Sequence, residues 1–335
     1  MAEVLVTHGY QYFSFETGAG SAWGTEATVP VLLHHPVAKY DVKAGRMTKE
    51  NDRLIGIAQS GHLQNVGKML AGGLDVPFYG HVDSGTTIAL AQSMFEWAFG
   101  DGSTVTLETS DARPSATVYN IVRDGGNTQI SSRKDAGLRV NKFTLKGSED
   151  GFVEMSLELM GKSTAEFSSS PNALPNDRQE LTEALFIDSI VTLGGSNLPV
   201  ASFELSVDFG LKPRRLTGAA AAGLTTGGWI TNLPAAGKVK AELTLVPLKT
   251  VNTWDGYQRL MATIDLAAVL SVQGLHGGSG GSGDYTRLSL SMARCALKNA
   301  DEVFGNDDIA NQPLKFTVLK PSSSAVMIVP TWSEV

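Results

Sequence analysis

Short runs in which apolar and polar residues alternate one by one constrain the fold of this chain more than any other feature of its sequence. Apolar side chains occupy every second position of 153–159, 203–209, 239–245 and 288–292. Such alternation places one set of side chains on each face of a β-strand. Glycine, at 36 of 335 residues, falls between these runs, where it favours turns. The pattern predicts a mainly β protein whose strands have one face for a core and one for water or a neighbour.

Helical periodicity is confined to two short stretches. Apolar residues of 91–99 recur at helical spacing, and Gly100 follows as a stop signal. A second helix is predicted over 254–262, where Thr253 supplies an N-cap. We expect each helix to flank a set of strands.

The predicted elements recur in the same order along the chain, which indicates an internal duplication. In each copy a strand and a long connection come first, and a helix is followed by three further strands. Extended segments are predicted in the first copy at 54–60, 76–90, 116–123, 138–146 and 152–160, and in the second at 201–209, 238–246, 264–272, 285–294 and 313–320. We therefore predict two tandem β domains.

A stretch rich in serine, proline and asparagine, 164–176, separates the two copies and has the composition of a linker. Residues 181–193 are expected to return to extended structure. The predicted organisation is an N-terminal arm (1–50), a first domain (51–163), a linker with a crossing segment (164–195) and a second domain (196–335).

Charge and composition exclude several classes of function. The chain has 27 basic and 34 acidic residues, and its net charge of −7 has the wrong sign for a protein that grips nucleic-acid phosphates. Charged residues make up only 18% of the chain, so we expect neighbouring subunits to cover much of the surface. The single cysteine, Cys295, excludes an internal disulfide and a CxxC metal site. Neither a signal peptide nor a membrane span is expected.

No arrangement of residues predicts a catalytic, cofactor or metal site. His34 with His35, and His81 with Asp83, lack a third ligand at an accepted spacing. The glycine-rich stretch 18–24 has its third glycine one position late for a nucleotide loop. Residues 277–283 form a Gly/Ser tether, natural or engineered. The GxSxG, HExxH and P-loop motifs are absent, so we predict a protein that is not an enzyme and uses no cofactor.

Two long connections, 61–75 and 210–237, occupy equivalent places in the two copies. Connections of this length inside a compact β domain are usually functional. The second connection contains small and apolar residues that a solvated loop does not need. This composition favours an arm that becomes ordered on contact with another subunit, and the alternative is a flexible surface loop. The residues expected to contact a neighbouring subunit are Lys212, Arg214, Arg215, Trp229, Ile230 and Leu233 in the second connection and His62 and Leu70 in the first.

Four stretches, taken in order, carry a resemblance to a known family. The first comprises Glu16-Thr17-Gly18 and Trp23-Gly24-Thr25-Glu26, and the second is a strand–loop–strand–helix unit that ends at 94–100. The third is 137–145 with the strand that ends at 159–162, and the fourth is 200–209. Together they resemble the tail tube (major tail) proteins of long-tailed, siphovirus-like bacteriophages, over about residues 14–330.

The resemblance implies a structural virion protein whose copies form stacked rings, and hence a tube through which genomic DNA passes from capsid to host. It implies tandem tail-tube-type β-sandwich or barrel domains, each with a flanking helix and long loops. Three chains would complete a ring of six domains, and a ring of six chains is the alternative. The implied partners are further copies, the tape-measure protein, and the tail terminator and tip proteins. Double-stranded DNA passes without specific binding, no membrane is involved, and assembly of the virion tail occurs in the host cytoplasm.

The polar strand faces supply candidates for the inner wall of such a tube. A basic wall would hold DNA through counterion release, whereas an acidic or neutral wall lets it slide. The lumen candidates are Glu154, Glu158, Glu204, Asp208 and Glu242, with an outward orientation of these faces as the alternative. The alternative function is a carbohydrate- or receptor-binding β-sandwich module of a phage baseplate or fibre, which would need an aromatic platform.

Overall fold

The computed structural model describes residues 6–16, 24, 33–34, 39–50, 63–78, 82–83, 86–100, 114–124, 129–166, 184–214, 232–235, 238–248, 265–275, 285–300, 313–321 and 327–334. The strands of the N-terminal half are β1 (Val6–Phe15), β2 (Leu33–His34), β3 (Lys39–Tyr40), β4 (Lys43–Glu50), β5 (Leu63–Pro77), β6 (Val82–Asp83), β7 (Thr86–Ala89), β8 (Ala116–Asp124), β9 (Gln129–Ser148), β10 (Glu154–Gly161) and β11 (Ser163–Glu166). Helix α1 (Leu90–Phe99) lies between β7 and β8.

The strands of the C-terminal half follow a 3-10 turn at Phe186–Asp188. They are β12 (Ile190–Leu193), β13 (Ser196–Asn197), β14 (Val200–Asp208), β15 (Lys212–Arg214), β16 (Asn232–Ala235), β17 (Lys240–Pro247), β18 (Leu266–Leu275), β19 (Tyr285–Ala300), β20 (Leu314–Val318) and β21 (Val329–Glu334).

The protein is mainly β, with 74% of the described residues in strands and 6% in helices, which confirms the predicted class. Seventeen strands form one antiparallel sheet, and the hairpins β6–β7 and β15–β16 pair separately. Through the centre of the sheet the order is β4–β5–β10–β9–β14–β17–β20–β19–β18. Strands of both halves therefore belong to one sheet.

One face of these strands forms the core, because their apolar residues are in register across neighbouring strands. One continuous row of directly opposed, buried apolar side chains consists of Val76, Met155, Leu145, Leu205, Leu243 and Phe316. Burial of each such side chain contributes about 1.5–3 kcal/mol. The row crosses from β9 to β14 without a break, so a single core holds the two halves together.

Helix α1 packs its aromatic residues across the junction of the halves, and it confirms the predicted helix. Phe99 lies 4.9 Å from Phe143 of β9 and 5.6 Å from Phe209, just after β14 (ring centroids). The indole N–H of Trp97 donates a 3.0 Å hydrogen bond to the Leu138 carbonyl. Gly100 ends the helix at φ 103°, a left-handed conformation that glycine adopts without strain. The predicted second helix, 254–262, lies outside the described residues.

Most strands predicted from alternation are present. The predictions at 116–123, 138–146, 152–160, 201–209, 238–246, 264–272, 285–294 and 313–320 correspond to β8, β9, β10, β14, β17, β18, β19 and β20, although β9 begins nine residues earlier than predicted and β19 ends six residues later. The predicted strand 54–60 lies outside the described part of the chain. Alternation was reliable in β10, β14, β17 and β19 because these strands bury one face over most of their length, whereas β8 and the middle of β9 are buried on both faces.

The predicted connection at 61–75 is wrong, because residues 63–77 form the long strand β5. Its glycines are not turn residues but points where another strand comes close. A Cβ on Gly72 would lie 2.5 Å from the Cα of Val42, in the segment that joins β3 to β4. Glycine here allows β3 and β4 to pack directly onto β5.

The two halves share one order of strand pairing. In the N-terminal half the order is β4–β5–β10–β9–β8, and in the C-terminal half it is β14–β17–β20–β19–β18. Along one edge, β9 pairs first with β8, through Leu138, and then with β14, from Lys142 onward. The halves are thus joined edge to edge by β9 and β14.

Candidate functional site

All five carboxylates proposed for the lumen lie on one face of the sheet, opposite the core. Each alternates along its strand with buried apolar residues. They belong to three strands, β10, β14 and β17, and β9 lies between β10 and β14. The members of this polar face are Glu154, Glu158, Glu204, Asp208 and Glu242. The structure therefore brings together residues that are up to 88 positions apart in sequence.

Lysines occupy the positions opposite these carboxylates. Lys142 is paired across the strands with both Glu158 and Asp208, and Lys146 with both Glu154 and Glu204. The Nζ of Lys146 lies 2.9 Å from the Glu154 carboxylate, which raises the pKa of this lysine. Charges of opposite sign thus alternate from strand to strand.

The face is close to electroneutral. Lys240, on β17, is opposite Asp208. Lys315 lies on β20, the strand next to β17. The Nζ of Lys298 is 3.0 Å from a Glu242 oxygen. Together with Lys142 and Lys146 these five lysines match the five carboxylates. Because the pairs are half-exposed, each adds little stability, about 0–1 kcal/mol. Their main effect is a polar surface without a strong field of either sign.

Glu16, the first residue of the N-terminal motif, is a buried hydrogen-bonding hub. One carboxylate oxygen accepts hydrogen bonds from the Ser115 hydroxyl (2.6 Å) and the Gly24 N–H (2.7 Å). The other accepts them from the Thr117 hydroxyl (2.8 Å) and the Gly137 N–H (2.7 Å). The motif therefore ties the N-terminal strand β1 to β8 and β9, a role that the sequence pattern alone did not reveal.

Asp135 is a second buried hub, and sequence reasoning missed it. Its Oδ2 accepts hydrogen bonds from the Tyr40 hydroxyl (2.7 Å), Asn120 Nδ2 (3.2 Å) and the Arg133 guanidinium (2.9 Å). Burial and the adjacent carboxylate raise the pKa of the Tyr40 phenol. Arg133 also donates to the Val42 carbonyl (3.0 Å), so the hub fixes β3 and the start of β4 against β9.

The residues predicted to contact a neighbouring subunit are not gathered at one place. Lys212 is exposed at the start of β15, and Arg214 and Leu233 belong to the paired strands β15 and β16. His62, Arg215, Trp229 and Ile230 lie outside the described residues. Leu70 is buried within β5 rather than in a loop, because its backbone pairs with Ala44 and Gly161 and its side chain joins the core.

The described residues hold no group of three His, Cys, Asp or Glu side chains arranged to bind a metal ion. Within the same part of the chain, no helix has the length and apolar character needed to cross a membrane.

Comparison with known proteins identifies the family of the chain. The profile of a family described as "Phage tail tube protein" matches residues 11–318, which is most of the chain. No curated protein matches. The match confirms the resemblance noted in the sequence, and it favours a structural virion component of the tail over an enzyme. The chain belongs to the phage tail tube protein family.

Proposed function

We propose that this protein polymerises into stacked rings that form the wall of a phage tail tube, a conduit for genomic DNA. The observation that carries the proposal is the edge-to-edge pairing of β9 with β14 between two halves of identical strand order. If the halves are duplicated tube domains, the chain already contains one domain-to-domain joint of the ring. The remaining joints are then made between chains.

The free strand edges support this arrangement. On its β18 side, β19 is paired only as far as Cys295, so this edge of residues 296–300 has no partner among the described strands, whereas their other edge pairs with β20. In the N-terminal half, the part of β9 that follows its pairing with β8, residues 142–148, pairs with β14. At the other end of the sheet, β3 and β4 pair only with β5 within the described residues. We infer that the β3–β4 edge of one chain pairs with the end of β19 in the next, which would also protect both edges from aggregation.

Ring size follows from the strand count. Four strands from each half, β4–β5–β10–β9 and β14–β17–β20–β19, give eight strands per chain and 24 in a ring of three chains. At about 4.8 Å spacing and about 45° tilt the backbone diameter is about 50 Å, which leaves on the order of 40 Å inside the side chains. This width admits a DNA duplex. A ring of six chains remains the alternative assembly.

In the proposed tube the polar face lines the lumen. Its alternating charges offer DNA neither a continuous basic surface nor strong repulsion, so the duplex slides without counterion release. We expect the tape-measure protein and the tail terminator and tip proteins as further partners of the tube. The alternative of a carbohydrate- or receptor-binding module draws no support from Trp97 or Trp332, which pack against core aromatic residues.

Electron microscopy and native mass spectrometry of the purified protein test the proposal. We expect rings and tubes, with a ring mass of about 107 kDa for three copies of the 35.5 kDa chain, or about 213 kDa for six. Compact monomers at every protein concentration would refute polymerisation.

Charge reversal tests the lumen assignment separately. In assembled tubes Glu204→Lys should create salt-sensitive retention of double-stranded DNA, because it places a second positive charge opposite Lys146 and leaves that lysine with Glu154 alone. The matched control is Glu166→Lys, an equal charge change at an exposed residue of β11 outside these strands. Equal DNA retention by both variants would contradict the assignment.

A further inference from the structure

Exposed apolar side chains gather at one end of the sheet. Ile187 is 81% exposed and Phe152 is 49% exposed, both unusual for residues of this size. The members of this apolar patch are Phe152, Leu185, Ile187, Ile190 and Leu248. Among the described residues only one other large apolar side chain, Val329, is comparably exposed. Contiguous exposed apolar surface of this kind marks an interaction site.

Three residues of the patch, Ile187, Ile190 and Leu248, line a groove of ≈ 400 Å³. Phe186 lines the groove and stacks on Phe203 of β14, with ring centroids 5.6 Å apart. A Cβ on Gly147 would lie 2.9 Å from both rings, so glycine is what lets Phe186 lie flat over the sheet. The backbone of Leu185 also bridges to Phe152. The groove is thus held by the sheet itself and does not depend on a partner for its shape.

One carboxylate lines the groove, and two others are next to lining or patch residues in the chain. Glu149 lines it, Asp150 follows in the same turn, and Asp188 is adjacent to Ile187. All three side chains are exposed. The chemistry of the site therefore favours an occupant with apolar side chains and positive charge.

A segment with that chemistry lies at the opposite end of the same strands. Strand β14 begins beside the groove at Val200 and ends eight residues later at Asp208, about 26 Å away at about 3.3 Å per residue. The chain then enters the β15–β16 hairpin. Residues 210–237, which contain this hairpin, have three basic residues (Lys212, Arg214 and Arg215) and no acidic residue, in a chain whose net charge is −7.

We propose that the apolar patch with its rim of Glu149, Asp150 and Asp188 is a docking site for the β15–β16 hairpin of a second copy in the next ring. Charge complementarity and the apolar content of 210–237 select this occupant. Because donor and acceptor surfaces lie at opposite ends of one chain, the contact is heterologous and does not close on itself, so it propagates along an axis. The proposal rests on the proposed tube and specifies how one ring holds the next.

The first test removes the most exposed apolar residue. Ile187→Asp should reduce the amount of sedimentable tube by about tenfold or more, as for loss of an interface hot spot, while rings keep their mass. Val329→Asp, the same type of change at the exposed apolar residue outside the patch, should leave tube yield unchanged. Tubes at normal yield from Ile187→Asp would overturn the docking site, and loss of rings together with tubes would overturn its assignment to stacking.

A charge exchange identifies the occupant. Glu149→Lys with Asp188→Lys should reduce tube yield, as should Lys212→Glu with Arg214→Glu. A chain carrying all four substitutions should polymerise again, because the four exchanged residues regain partners of opposite charge. Failure of this rescue in a folded protein, judged by circular dichroism, would overturn the hairpin as the occupant. A wild-type protein that makes no tubes at all would instead refute the proposed function.

Discussion

Replacement of Glu16 with glutamine is expected to lower the free energy of unfolding by about 2 kcal/mol, although the side chain keeps its size. The carboxylate accepts four hydrogen bonds, two on each oxygen. Glutamine converts one oxygen into a donor. The least costly orientation keeps the carbonyl oxygen toward Thr117 and Gly137 and turns the amide group toward Ser115 and Gly24.

The magnitude follows from the fate of each donor. The Ser115 hydroxyl can rotate and accept from the amide, whereas the N–H of half-buried Gly24 loses its acceptor and turns to water. The three surviving bonds lose charge assistance, about 0.5–1 kcal/mol each, and removal of a buried charge offsets part of this loss. Alanine at position 16 removes every acceptor and leaves the Thr117 hydroxyl and the Gly137 N–H buried. At about 1–3 kcal/mol for each orphaned donor, we expect a loss of about 4 kcal/mol.

Urea unfolding followed by circular dichroism, at one fixed protein concentration, measures both losses. Glu154→Gln is the matched control, because Glu154 is half-exposed in its ion pair with Lys146 and its neutralisation should cost less than about 1 kcal/mol. If the glutamine and alanine variants at position 16 both unfolded within about 0.5 kcal/mol of the wild type, the hub would not hold β1 to β8 and β9.

Three further predictions concern the packing of single residues. Gly72→Ala should displace the β3–β4 segment, since its Cβ would lie 2.5 Å from the Cα of Val42, and we expect fewer rings by native mass spectrometry together with a lower unfolding midpoint. In the folded protein the pKa of Tyr40 is raised above its unfolded-state value of about 10. The contribution of Tyr40 to stability is therefore complete below about pH 10 and declines as the pH rises further. Melting temperatures between pH 8 and 11 should therefore fall more steeply for the wild type than for Tyr40→Phe, and parallel slopes would contradict the assignment. Burial raises the pKa of the Cys295 thiol to about 12, so a thiol reagent at pH 8 should label it only in urea, whereas rapid labelling of the native protein would show that this part of β19 is open.

The strands were predictable where burial is one-sided. Residues 201–209 and 313–320 alternate because β14 and β20 each present one face to the core, and a period of two then fixes both existence and orientation. The same parity predicted that Glu204 and Asp208 share a face. It could not predict that Lys142 and Lys146 lie between carboxylates of two other strands, because strand register is set by contacts between distant segments.

The errors and omissions have a similar origin. Gly72 has the same local appearance as a turn glycine, and only the approach of Val42 from another strand explains it. Glu16 and Asp135 are bound by donors up to 121 residues away, so no local spacing could indicate their role. Local sequence patterns therefore do not identify side chains whose role is to join distant segments of the chain.

The continuous pairing of β9 with β14 also has a mechanical consequence. A hinge needs a break in the hydrogen-bond ladder or a core divided in two, and the junction of the halves has neither. Each chain should therefore behave as a stiff plate. A filament built from such plates would flex at the seams between its building blocks, and it would keep the shape of its bore as it bends.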